Sequence, residues 1–244
     1  MTDIPAFDFG IICQSSNELT AVLVNLEERS NDKYSKPDHD TNHYTFGQIG
    51  THQVVIAVLP VGQVSDMTLA SAVNLMICSF GVQRVIYIGT AYSVGVPKLG
   101  DVVIATSLVE CDIGHVRVIQ PQWSQSGEFK NTEEVIALVQ AIPGKLRNEM
   151  AREKFRRPKE GTFQVFTGRV GISSIEVRDT KLRDSWRDKY DLMAVDTLGM
   201  GIVETGVSCL IVQGICGYAD MEDYTQWNAY AASTAAVVAL KLLN

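Results

Sequence analysis

Short apolar runs alternate with amphipathic stretches of helical period along the whole chain. Residues 7–13 form the first run and end in Gln14-Ser15-Ser16-Asn17, a polar cluster suited to cap the amphipathic stretch 18–27. This reads as strand, turn, helix. Runs around 44–49 and 53–59 flank Gly50-Thr51 as a hairpin, and Pro60-Val61-Gly62 opens a helix over 66–80. Residues 84–89 and 102–105 are continuous apolar strands of the kind buried on both faces. Between 112 and 130 the chain is polar, with glycine, proline and little periodicity, and is expected to be a loop over a cleft. Helical spacing returns over 132–141, and the charged stretch 145–159 predicts a second, solvated helix closed by Pro158. Strands at 164–167 and 192–195, a helix over 198–205, a strand over 208–213 and a helix over 228–243 complete the pattern. The alternation predicts an α/β fold of three layers, α/β/α, with a mainly parallel central sheet flanked by helices.

Composition narrows the picture. At 244 residues and 46% hydrophobic content, one core is expected, with residues 1–244 as a single domain. A formal net charge of −7 works against a phosphate-tracking surface, so nucleic acid is not an expected partner. No apolar run approaches the roughly 20 residues of a membrane span, and the N-terminus lacks signal-like features. The five cysteines show no Cys-x-x-Cys pair and mostly lie in apolar runs, which reads as buried thiols in a reducing cytoplasm. The four histidines show no zinc-ligand spacing, and neither a metal nor a cofactor is expected.

The chemistry-bearing segments come in a definite order: Gly10-Ile11-Ile12-Cys13 with Glu18, Leu59-Pro60-Val61-Gly62, residues 89–101, Thr167-Gly168, and Gly214-Ile215-Cys216-Gly217-Tyr218-Ala219-Asp220 with its following helix. In Gly95-Val96-Pro97-Lys98-Leu99-Gly100-Asp101, glycine and proline turn the chain before the next buried strand. Together these segments resemble the purine nucleoside phosphorylase and nucleosidase superfamily over nearly the whole chain. The resemblance is greatest to the fungal branch, often the first domain of larger receptor-like proteins. Here no attached repeat or signalling segment is seen, which favours a stand-alone enzyme.

What the resemblance implies is a cleft at the carboxyl ends of the strands. In it a carboxylic acid protonates the leaving purine, a second acid grips ribose hydroxyls, and water or phosphate attacks from the far face. By this resemblance Glu18 matches the glutamate that orients the nucleophilic water, and Thr90 a hydroxyl residue near the sugar. Each also has a plain structural reading: Glu18 as a first-turn helix acid, Thr90 as a β-branched strand end. Several positions depart from the family. Its Gly-Gly is Tyr92-Ser93, and its Glu-Met-Glu aligns with Asp196-Thr197-Leu198, so that Leu198 replaces the ribose acid. The turn Ser-Gly-Asp or Ser-Gly-Asn reads Thr167-Gly168-Arg169, and Gly171, beside Ile172, stands where nucleosidases place a stacking aromatic. The family's arginine is Gln213, the loop Gly62-Gln63-Val64-Ser65 lacks a second phosphate-side glycine, and Gly217 replaces the leaving-group acid.

Asp196 and Asp220 are the carboxylates near enough in sequence to substitute for that acid. Asp220 reads first as a turn or helix-start residue, and Asp196 as a strand-end group with a candidate catalytic role. Arg169 suits a carboxylate, phosphate or enolate ligand, or else a surface position. Trp123, Trp186 and Trp227 read as packing or loop anchors.

Three functions remain open at this point. One is a repurposed enzyme of cofactor-free isomerase, cyclase or lyase type, holding a small, partly apolar metabolite between Tyr92, Leu198 and Ile172 with polar help from Glu18 or Arg169. Another is a non-catalytic binding, sensor or storage protein. The third is residual purine nucleoside hydrolysis or phosphorolysis through Glu18. The resemblance also implies a homo-oligomer.

Overall fold

A computed structural model describes residues 6–30, 34–62, 65–118 and 133–243. Ten strands form one sheet: β1 (Phe9–Cys13), β2 (Glu28–Ser30), β3 (Tyr44–Ile49), β4 (His52–Val58), β5 (Arg84–Ser93), β6 (Val102–Glu110), β7 (His115–Val118), β8 (Val165–Ile172), β9 (Leu192–Asp196) and β10 (Ser208–Gly217). The helices are α1 (Ser16–Leu23), α2 (Asp66–Phe80), α3 (Glu133–Lys145), α4 (Glu149–Phe155), α5 (Thr180–Tyr190), α6 (Met200–Glu204) and α7 (Asn228–Lys241). None of them is long and apolar enough to cross a membrane.

Parallel pairs join β4–β1–β5–β10 and, separately, β6–β8–β9. Two antiparallel seams, β10–β6 and β5–β9, splice these groups so that β5, β10, β6, β8 and β9 close into a ring. Strand–helix alternation anticipates the parallel pairs; the seams depend on long-range register that periodicity does not encode. Apolar side chains fill both faces. One core lies between the sheet and α2 and α6, and the other between the sheet and α1, α3, α4 and α7.

Helix ends follow local chemistry. Ser15 and Glu18 form a reciprocal capping box at α1, and Ser65 caps α2, which stops at Gly81 in the left-handed region (φ 66°). The almost wholly buried α7 lies so close to β10 that a Cβ on Gly214 would run into the Ala231 carbonyl.

Several sequence expectations change. Thr167-Gly168-Arg169, expected as a turn, is the middle of β8, because its backbone is paired with β6. The expected loop from 112 begins instead as a β6–β7 hairpin with Glu110 opposite His115, and its remainder, including Trp123, lies outside the described residues. Helix α5 has no counterpart in the sequence reading: none of its residues is buried, so it shows no apolar stripe.

Candidate functional site

The carboxyl ends of β5 and β10 lie side by side, with Thr90 opposite Gly214 and Tyr92 opposite Gly217. Beyond them opens a cavity of about 320 Å3, lined in part by Tyr92, Glu176, Cys216, Asp220, Tyr224 and Asn228. Of the candidates read from sequence, Tyr92 and Asp220 are on its wall. The Tyr92 hydroxyl donates to Glu176 (3.0 Å), and Arg178 pairs with the other Glu176 oxygen (2.9 Å). The Arg178 hydrogen bond holds the Glu176 carboxyl below its usual range, keeping it ionised near neutrality. Burial raises the Tyr92 phenol, which therefore keeps its proton and can donate it in a hydrogen bond.

Beneath this wall lies a polar layer. The Thr90 amide donates to Gln14 Oε1 (2.6 Å), and the Cys216 thiol, which burial pushes up to about 12, donates to the Ala91 carbonyl (3.5 Å). Glu18 stands in the first turn of α1, as its structural reading expects, but is 1% exposed and so not solvated. Its Oε2 accepts from the Ser15 amide (2.8 Å) and hydroxyl (2.5 Å), and burial raises its pKa against the lowering by those bonds. Asp196 is also buried. It accepts from the Thr197 amide and from Gln213 Nε2, both at 2.6 Å, while desolvation lifts it to about 8. The Tyr87 hydroxyl and Gln213 Oε1 have no partner among the described residues.

Other candidates lie elsewhere. Leu198, 1% exposed, belongs to the core with Ile172, Leu108 and Met200, and does not line the cavity. Its orientation follows from Asp66 at the start of α2, whose Oδ1 accepts from the Gly199 and Gly201 amides (2.9 Å each) and pins the β9–α6 passage. Arg169 is exposed and donates to the Tyr190 carbonyl (3.1 Å), so the expected anionic-ligand anchor faces away from the cavity wall. Thr167 is exposed on β8, and the Ser93 hydroxyl accepts from the Gly95 amide in a local turn. Gly171 is packed beneath Cys111, Leu192 and Val195, which leaves no room for a stacking ring there. Thr197 is half-buried beside Asp196.

The sequence reading missed Glu176, Arg178 and Tyr224. All three lie in stretches without periodicity, 173–179 and 218–227, where spacing says nothing about which side chains converge.

The sequence profile of the phosphorylase superfamily matches residues 8–212. The chain belongs to this family. Futalosine hydrolase from Helicobacter pylori superposes with a TM-score of 0.66 at 19% identity, covering 98% of this chain and 97% of that one. The 5'-methylthioadenosine/S-adenosylhomocysteine nucleosidase of Neisseria meningitidis, in complex with methylthio-immucillin-A, gives 0.67 at 18% identity, covering 97% and 98%. At these identities the likeness shows the fold. Among curated proteins, a nucleotide-binding leucine-rich repeat (NLR)-like protein of Hyaloscypha variabilis is 27% identical across 97% of this chain but only 29% of its own length. An aminodeoxyfutalosine nucleosidase of Campylobacter jejuni is 32% identical over 43% of this chain and 42% of its own. The chain thus spans less than half the length of either curated relative in alignment.

Proposed function

We propose that residues 1–244 form one phosphorylase-superfamily domain whose old cleft serves cofactor-free chemistry, of isomerase, cyclase or lyase type, on a small metabolite. The observation that carries this reading is the ligand-sized cavity at the ends of β5 and β10, in the range usual for small-molecule sites. Its walls differ from a nucleoside set. Gly217 offers no acid, Leu198 is committed to the core, and the charged groups on the wall are Glu176, Asp220, Glu222 and Asp223 with the paired Arg178. Carboxylates accept hydrogen bonds, so the ligand is one that brings N–H or O–H donors along with an apolar part for Tyr92 and Tyr224. General acid catalysis is worth about 3 to 6 kcal/mol of barrier, which the glycine at 217 forfeits for purine release.

A thermal-shift screen of candidate metabolites, followed by mass spectrometry of the best binders, tests the proposal. Binders that lose their effect in Asp220→Ala and are converted by the wild type support it. Failure of any compound to bind, or binding indifferent to Asp220→Ala, sinks it.

A second reading is a non-catalytic binding or sensing domain, favoured by the match of almost the whole chain to under a third of an NLR-like protein. Binding without conversion in the same screen decides for it. Under either reading the domain works in the cytoplasm, as its buried free thiols suggest, and as a homo-oligomer, as the family resemblance implies.

A further inference from the structure

Gly217 is glycine for lack of space, not for backbone freedom. Its φ is not among the positive values of the described glycines, so an L-residue fits its backbone. Space is the obstacle: a Cβ built there lies 2.6 and 2.8 Å from Cδ1 and Cε1 of Tyr92 and 3.3 Å from Cδ2 of Tyr224. Tyr92 is tethered at its far end by Glu176, itself held by Arg178, and packs against the apolar cluster that includes Val94, Val177, Val195 and Ala219. The ring therefore occupies the volume into which any side chain at 217 would project. The tyrosine at 92 and the missing acid at 217 amount to one steric event.

From this we infer that Tyr92 is the specificity-determining residue of the cavity, a fixed plug that shuts a fused-ring base out of the β5–β10 end and reserves the site for a smaller ligand. The inference rests on the reading that this cavity is the working site, but its test does not need the natural ligand. The plug is the ring itself, with the hydroxyl serving only to hold it. Tyr92→Phe therefore keeps the exclusion, whereas Tyr92→Ala relieves it.

Two measurements test the plug. In the first, adenine is titrated calorimetrically into wild type, Tyr92→Phe and Tyr92→Ala. The expected result is at least tenfold tighter binding in Tyr92→Ala than in the other two; equal affinities in all three, with the variant folded by circular dichroism, overturn the inference. If Tyr92→Ala does not fold, Tyr92→Val removes the ring while keeping a strand-favouring side chain. In the second, Gly217→Ala is made in the wild type and in Tyr92→Ala. Overpacking predicts a fall in Tm of about 2 to 10 °C with Tyr92 present and little change in the Tyr92→Ala background. Equal falls in both backgrounds overturn the steric coupling. Adenine gained by Tyr92→Ala while no metabolite binds the wild type leaves the plug standing and removes the proposed function. A metabolite converted by the wild type with no adenine gained does the reverse.

Discussion

Gln213 donates from Nε2 to Asp196 Oδ2 at 2.6 Å, both side chains buried, while Gln213 Oε1 is left without a described partner. A neutral amide thus faces a carboxyl group that desolvation has lifted to about 8. Because the folded pKa lies above the ordinary carboxylate value, the folded state holds a proton that the unfolded state has released between about pH 4 and 8. Stability contributed by this group is therefore greatest at low pH and declines as pH rises through that window. The expected slope reaches about 1.4 kcal/mol per pH unit for one such group. Urea titrations from pH 5 to 8.5 are expected to show the decline, and Asp196→Asn, whose amide can donate to Gln213 Oε1, is expected to flatten it. An unchanged slope in Asp196→Asn would assign the dependence to other groups, Glu18 first among them.

Glu18 closes the N-terminus of α1 through its capping box with Ser15, so its loss acts on stability before chemistry. Glu18→Ala is expected to cost about 1 kcal/mol from the cap alone. Glu18→Gln keeps an acceptor for Ser15 and replaces the buried ionisable group by a neutral one, and is expected to stay within about 1 kcal/mol of wild type. Denaturation midpoints of the two variants check this; a larger loss in Glu18→Gln than in Glu18→Ala contradicts it.

Inosine and 5'-methylthioadenosine are expected to survive incubation with the protein, with or without phosphate, because no carboxylate sits at 198 or 217. Chromatography of released base settles the matter. Release at rates near those of working nucleosidases would mean that another group, with Asp220 the nearest candidate, supplies the proton.

Leu198→Glu looks from sequence like a restoration of ribose binding. The structure gives the opposite expectation, since the new carboxylate would enter the core beside Ile172 and Leu108. Burying an unpaired acid costs several kcal/mol or raises its pKa by several units. The variant is expected to be insoluble or to melt at least 5 °C below wild type. A soluble Leu198→Glu of unchanged Tm would place residue 198 at a wetter surface than described.

Much of the fold is legible in the sequence because most strands pair an apolar run with a turn signal; 44–49 and 66–80 appear with their final bounds, whereas 84–89 stops short of β5, which runs on to Ser93, and the charged β2 gives no such signal. The glycine in Thr167-Gly168-Arg169 gives the signal of a turn, yet β6 supplies partners that hold the segment extended. The cleft is only partly legible. Glu18, Thr90, Tyr92 and Asp196 can be placed near it by resemblance, but whether Leu198 looks inward depends on the Asp66 clamp, more than a hundred residues away in sequence. Nothing local in 173–179 says that Glu176 meets Tyr92.

The closed ring of five strands also bears on how this protein keeps company. A ring offers no free ladder of amides and carbonyls, so sheet extension by a neighbouring chain is left to the strands outside it. Of these, β2 is a three-residue strand carrying Glu28 and Arg29, and β7 carries His115 and Arg117. Short, charged edges resist edge-to-edge growth. Among the described residues, these edges therefore favour contacts built from side-chain surfaces, where geometry closes and stops, over strand addition, which has no natural end.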